Sequence, residues 1–391
     1  MRPAVHSGTG CPQFPPTPSR RGPNGPWVGG MAADPLPTVR LSDLGDVAAA
    51  LPHLIGFRPR ESLVVVSLHG PRGEVGLTAR IDLPPPALRR PVVDGLARSL
   101  TAHEPAAALL AVVSEDADVP TAPVRAGLPA GPPVPELPHR ALVREAVLAF
   151  DRLGLPVRET VLVRDGRWWS YDCSDACCAP GAGTPLPGGT TELAAASALS
   201  GQVLAEDRAD LVRRIAPVGF LAAAGMARAC ESVGSALVLR TVEEDWDALV
   251  EESCALVAAA VQDLAAPGAR RLTDEEAARL AWGLREWEVR DRALVWAAGP
   301  AAAGGQQLWT ELTRRAPAPL DAAPATLLAV CSWVRGEGAM ANVALERALT
   351  SDPSYALAGL LLTAFEAGMR PAEVRRLVRE ASGAPTGGVG W

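Results

Sequence analysis

The sequence predicts an α/β mixed-sheet N-terminal domain followed by an all-α domain that carries a tetratricopeptide-like helical hairpin. Three observations support this. Leu41 to Leu83 reads as a capped helix, a buried strand and its hairpin partner. Helix and strand patterns keep alternating to about residue 205, as an α/β layer structure requires. Beyond Glu206 strand patterns stop and only helical periodicity remains. The expected organisation is a disordered tail over residues 1–37, an α/β domain over 38–205 and a helical domain over 206–385.

The tail is rich in Pro, Gly, Arg and Ser, with single scattered apolar residues that bury too little surface to offset ordering entropy. Met31 follows Gly29–Gly30 and is the expected native start. Thr38–Arg40 reads as a short strand, and Ser42 as the cap of a helix to Ile55 with Leu44, Val47, Ala48 and Leu51 on one face and Gly56 as its stop. Leu63–Val66 is a continuous apolar run suited to a strand buried on both faces. Val75, Leu77, Ala79, Ile81 and Leu83 alternate with polar residues, so the two strands form an antiparallel hairpin ended by Pro84–Pro86.

A helix is expected over Pro91–His103, a second buried strand over Ala107–Val113, a mobile Pro/Gly/Ala loop over Val119–Pro138, and a helix over Ala141–Leu153. Asp165–Gly166, the tight hairpin dipeptide, joins strands Thr160–Arg164 and Arg167–Tyr171. Trp168 and Trp169 must then face opposite sides of their strand. In the helical half, Thr273 and Glu276 form a capping box, and Leu280, Leu284, Trp287 and Leu294 recur at helical spacing. Trp282, Trp287, Trp296, Trp309 and Trp333 are expected in the core, three of them on one helix. Asp291, on that apolar stripe, needs an arginine partner from Arg285, Arg290 or Arg292. Ala341, Ala344 and Ala348 give one helix a small face. Asp352–Pro353 should cap the next, with Leu357, Leu360, Leu361, Ala364 and Phe365 as its stripe and Gly368 as its end.

Composition excludes whole classes of chemistry. All 37 basic residues are arginine. A Walker-type phosphate lysine, a kinase lysine, a pyridoxal Schiff base and a Ser–Lys dyad all need an amine this chain lacks. The formal charge of −7 and basic residues arranged as isolated pairs argue against nucleic-acid binding. Seven irregularly spaced cysteines are no secreted disulfide framework. No signal-peptide core or 18-residue apolar run occurs, so the expectation is a cytoplasmic protein without membrane contact. The five histidines form no metal motif, and neither a GxSxG elbow nor a dinucleotide glycine pattern is present. Only a Ser–His or Asp–His pair assembled by the fold stays open.

Four segments together carry a family resemblance: LSDLGDVAAALPHLIGFRPRESLVVV, RWWSYDCSDACC, AWGLREWEVRDRALVW and ERALTSDPSYALAGLL. Over roughly Val39 to Val378 the chain is similar to a family of high-GC bacteria catalogued as domain-of-unknown-function number 4192. The resemblance implies no activity. In that family proline commonly follows the aspartate and the paired cysteines of the cysteine segment, where Ala176 and Ala179 stand here.

Three groups of residues are candidate sites. Glu115, Asp116 and Asp118 follow the buried strand 107–113, and carboxylates off the carboxyl end of a strand can hold Mg²⁺; a solvated acidic loop is the alternative. Arg58, Arg60, Glu61 and Ser62 can form an anion-binding corner, or a salt-bridged turn in which Ser62 sets the strand start. Cys173, Cys177 and Cys178, with Asp172 and Asp175, can bind zinc or act as redox thiols. The expectation for them is packed structural thiols with well under one equivalent of zinc. The leading functional expectation is a non-catalytic binding or adaptor protein with a protein partner or small ligand and no cofactor. A hydrolase or transferase with a site near Glu115 and Arg58 is the first alternative, and a structural-metal or thiol-redox protein the second.

Overall fold

The computed structural model describes residues 43–71, 73–121, 134–188, 192–199, 203–367 and 369–381. The expected tail, the strand at Thr38–Arg40, Ser42 and Gly368 lie outside the described residues. The chain divides into two compact units, Met1–Leu204 and Ala205–Trp391.

The first unit is a mixed sheet with helices on both faces. Its strands are β1 (Ser62–His69), β2 (Glu74–Asp82), β3 (Ala107–Val113), β4 (Val119–Thr121), β5 (Val134–Glu136), β6 (Val157–Arg164), β7 (Arg167–Ser170) and β8 (Thr184–Pro185). The main sheet has six strands in the order β2-β1-β3-β6-β7-β8. The expected hairpin is present, with Val65 opposite Ala79. β1 also runs antiparallel to β3, which is parallel to β6. Central β1 and β3 are buried on both faces, which explains their unbroken apolar runs. The expected loop 119–138 is not wholly loop: its ends pair as β4 and β5, because Val119–Thr121 and Val134–Glu136 run antiparallel.

α1 (Leu44–Ile55) is capped by Asp43 and not, as expected, by Ser42: the Asp43 carboxylate accepts the Asp46 N–H at 2.8 Å, and the helix ends at Gly56 in the left-handed conformation. Its Leu44, Val47, Ala48 and Leu51 pack with Val64, Val66, Leu109, Ala111 and Trp168 on one face of the sheet. α2 (Arg89–Thr101) and α3 (Arg140–Arg152) cover the other face over Val65, Leu110, Leu162 and Trp169. Trp168 and Trp169 therefore enter opposite cores, as strand alternation requires. α4 (Glu192–Leu199) contacts α1.

Among the described residues the second unit holds only helices: α5 (Arg208–Arg214), α6 (Phe220–Glu243), α7 (Trp246–Ala265), α8 (Asp274–Gly283), α9 (Trp287–Ala293), α10 (Ala302–Arg315), α11 (Ala322–Val334), α12 (Gly338–Ser351), α13 (Ala356–Glu366) and α14 (Pro371–Ala381). α11 is buried along its whole length, and α10, α12 and α14 pack around it. The Thr273–Glu276 capping box opens α8. Asp291 is held by Arg290 at 2.6 Å.

Two of the expectations are corrected, on the tryptophans and on the Asp352 cap. Trp282, Trp287 and Trp296 lie on α8, α9 and a 3-10 turn after α9, because the chain breaks at Gly283–Glu286; Trp287 is 63% exposed. The small face of α12 packs on α11, burying Ala341, Ala344 and Ala348. Asp352 caps a turn through the Ser354 N–H and hydroxyl rather than the helix, which starts at Ala356. That shift leaves Ala358 and Phe365 buried on α13 and Leu360 outside. No helix among the described residues is long and apolar enough to cross a membrane.

Candidate functional site

Strand order brings distant residues to one edge. Ser62 at the start of β1 pairs with Val113 at the end of β3, which pairs with Val163 near the end of β6. The residue before β1 (Glu61) and those after β3 (Ser114, Glu115, Asp116) therefore meet. The carboxyl ends of parallel β3 and β6 lie at this edge, where open α/β sheets bind ligands.

Ser114 is the hub of the cluster and is buried. Its hydroxyl donates to Glu61 Oε2 at 2.7 Å, accepts the Asp116 N–H at 3.1 Å and lies 3.1 Å from His139 Nε2. A hydroxyl has one proton and two lone pairs, so with the proton on Glu61 the imidazole nitrogen must be the donor. The same Nε2 is 3.1 Å from Asp116 Oδ2. Glu61 Oε1 accepts the Glu115 N–H at 2.9 Å. Donor atoms of Glu61, Asp116 and His139 all lie within 4.8 Å of one another.

Backbone strain marks the same place. Glu61 (φ 40°) and His139 (φ 58°) are non-glycine residues in the left-handed region, each costing about 1–2 kcal/mol. His139 occupies the N-cap of α3, yet its side chain does not cap the helix; it faces Ser114 and Asp116 instead. Asp165 (φ 49°) is the first residue of the expected two-residue turn with Gly166 (φ 66°).

Arg164 anchors the acidic segment. Its side chain is 10% exposed; it donates to the Asp116 carbonyl at 2.7 Å and pairs with Asp118 at 3.0 Å. Its guanidinium sits 4.8 Å over the Trp169 ring. Glu115 accepts the Asp165 N–H at 3.2 Å. Partial desolvation, with the charges of Asp165 and Glu61 adding to it, raises the Glu115 pKa. A cleft of about 730 Å³ opens beside this segment, lined by Glu115, Asp118, Arg164, Asp165, Arg167 and Trp169. Its far wall is residues 181–183, where Arg167 donates to the Gly183 carbonyl at 2.9 Å. Only glycine fits at 183: its φ is +74°, and a Cβ would meet the Trp169 ring at 2.4 Å.

The cysteine segment lies past β7. Sγ of Cys173 and Cys177 are 4.0 Å apart, and Sγ of Cys177 and Cys178 3.9 Å.

A family model described as Domain of unknown function (DUF4192) matches residues 45–372. The chain belongs to the DUF4192 family. No curated protein and no solved structure matches it.

Of the residues singled out in this DUF4192 chain from sequence, Glu61, Glu115, Asp116 and Asp118 gather around Arg164 and Ser114. Ser62 is separate from them in role. It is fully buried, donates to the Arg60 carbonyl at 2.5 Å and accepts from Arg80 at 2.8 Å, which sets the strand start. Arg58 is exposed and lies near His53, whose pKa is lowered by burial and then by that charge. Ser114, His139, Arg164 and Trp169 were missed by sequence reasoning. The one local signal was Pro138–His139 at a helix start, where an imidazole is a poor cap.

Proposed function

We propose that this edge is the centre of a hydrolase or transferase that works with a divalent cation. Glu61, Asp116 and His139 would hold the ion, His139 after giving up the Nε2 proton it directs at Ser114 and Asp116, and the adjoining cleft would take an anionic substrate near Arg167. The observation that carries this reading is the convergence of two carboxylates and an imidazole at the carboxyl end of parallel strands. One nitrogen and two carboxylates suit Mn²⁺ or Zn²⁺. Such an ion polarises a carbonyl or phosphoryl oxygen and generates hydroxide from bound water. Five carboxylates along the segment (Glu61, Glu115, Asp116, Asp118 and Asp165) against Arg164 and His139 leave a negative excess for a cation to neutralise.

A serine-nucleophile reading is weaker. Ser114 is buried, its proton points to Glu61, and Ser114 and Asp116 share one imidazole nitrogen. In a triad the nucleophile and the orienting carboxylate engage opposite nitrogens. The test is calorimetric titration with Mn²⁺ alongside hydrolysis of p-nitrophenyl phosphate and acetate with and without it. Saturable binding and turnover that both disappear in Asp116→Asn and His139→Gln support the reading; absence of Mn²⁺ binding to the native chain refutes it.

A second reading, a binding or adaptor protein, is supported by exposed apolar residues on α6. Phe220, Leu221 and Val242 are each 84% exposed and Leu239 66%. Phe220→Ser with Leu221→Ser should then abolish co-purification of a partner from native-type cells, and an unchanged partner profile would count against it.

A further inference from the structure

We propose that Cys173, Cys177 and Cys178 form a zinc site with three thiolate ligands and a fourth position for water or an oxygen ligand. The proposal is independent of the strand-edge reading, which uses none of these residues.

Three thiolates on a tetrahedral ion with bonds of about 2.3 Å stand about 3.8 Å apart. Two of the separations here are 3.9 and 4.0 Å, and all three sulfurs lie within 4.8 Å of one another. Closing onto an ion needs shifts of a few tenths of an ångström along two edges. The 3-10 turn Ala176–Cys178 allows adjacent cysteines to reach one point, since it places Cys177 and Cys178 on a tight bend held by the Cys178 N–H to the Asp175 carbonyl at 3.0 Å. Packed thiols are the competing explanation. They account for buried Cys178 but not for Cys173 and Cys177, which are only half-buried and turn toward each other.

One hydrogen bond favours thiolate at Cys178, and the charge of Asp172 beside the segment favours a cation. Sγ of Cys178 accepts the Ser170 N–H at 3.3 Å, a bond that stabilises negative sulfur. Asp172 is pinned by the Thr160 hydroxyl at 2.8 Å, and its charge adds to burial in raising the pKa of nearby Glu159. Trp169 Nε1 donates to the Ala179 carbonyl at 3.3 Å, tying the far end of the segment back to β7. The loop is thus fastened on both sides of the sulfurs, so little ordering entropy is left to lose on binding.

Each thiol that coordinates gives up its proton, so Zn²⁺ displaces up to three protons and affinity rises with pH. The ion would close the loop 173–178 on itself, beyond the end of β7 and close in sequence to the 181–183 wall of the cleft.

The experiment uses the full chain purified without chelator under reductant. Zinc is measured by plasma emission spectrometry, and the stripped protein is titrated with Co²⁺. The expected results are at least one equivalent of zinc, a thiolate-to-cobalt charge-transfer band, and loss of the band together with one equivalent of zinc in Cys173→Ser and Cys177→Ser. Cys254→Ser should leave both signals intact, and because only thiolate ligands give the charge-transfer band, that band separates this site from the strand edge. If a serine variant does not fold, the Co²⁺ spectrum of the native chain alone decides. Absence of the charge-transfer band, a band retained in both serine variants, or a Cys173–Cys177 disulfide persisting under reductant would each overturn the proposal.

Discussion

Replacing Arg164 by methionine keeps the aliphatic stem and removes the charge that ties the acidic segment to the sheet. In the native chain the guanidinium donates to the Asp116 carbonyl at 2.7 Å and pairs with Asp118 at 3.0 Å, and the two side chains are 10% and 17% exposed. Breaking a buried pair on one side costs about 3–5 kcal/mol, because the remaining carboxylate is left uncompensated. Residual exposure of Asp118 lets water recover part of this, so the low end, about 3 kcal/mol, is expected. Arg164→Lys keeps the charge but loses the planar fork and the stacking on Trp169, and should cost about 1–2 kcal/mol. For a unit of this size, Arg164→Met corresponds to a midpoint lowered by about 6–12 °C. Calorimetry of the full chain reads the shift, and hydrogen exchange of the β6 and β7 amides assigns it to the α/β unit. The same variant should weaken Mn²⁺ binding, since Asp116 loses its tether. A midpoint within about 2 °C of native would refute the idea that Arg164 anchors this edge.

Val65→Asp should cost about 3–5 kcal/mol, because Val65 is fully buried in β1 between β2 and β3; urea melts test it, and an unchanged midpoint would remove β1 from the core. Phe365→Ala should cost about 3–4 kcal/mol, since the ring stacks on Trp333 at 3.9 Å and is 4% exposed; the same melts read it, and a loss below about 1 kcal/mol would count against that contact. Thr273→Ala should cost about 1 kcal/mol by removing the α8 cap, measured by denaturation at neutral pH. The cap should also show in acid. Arg270 first, then the Thr273 N–H, lower the Glu276 carboxyl to about 2, so its contribution is present above the ordinary carboxylate value and lost as pH falls through about 2. Because Glu276 is exposed, that acid-side loss should shrink with added salt; comparing native and Glu276→Gln melts across this range, at low and high salt, checks the sign.

Much of the architecture was legible in the chain because it is local. Continuous apolar runs marked β1 and β3, alternation marked β2, Asp165–Gly166 marked a turn, and Thr273 with Glu276 marked a helix start. Each depends on residues a few positions apart, and the same short-range physics excluded every chemistry that needs lysine. Helix breaks were less legible. The stripe through Leu284, Trp287 and Leu294 keeps its period across a break, because periodicity reports a face and not the caps that end a helix. The candidate site was half visible. Glu115, Asp116 and Asp118 stood out by adjacency, but Glu61 reaches Ser114 across 53 residues and His139 reaches it across 25. Those meetings follow from β3 lying between β1 and β6, and strand order is set by which buried faces and crossover helices pack together over the whole unit. The cysteines show the same division: their spacing is in the sequence, whereas the turn of half-buried thiols toward one another came only with the tertiary fold, through the 3-10 turn and the Ser170 and Trp169 hydrogen bonds that hold it.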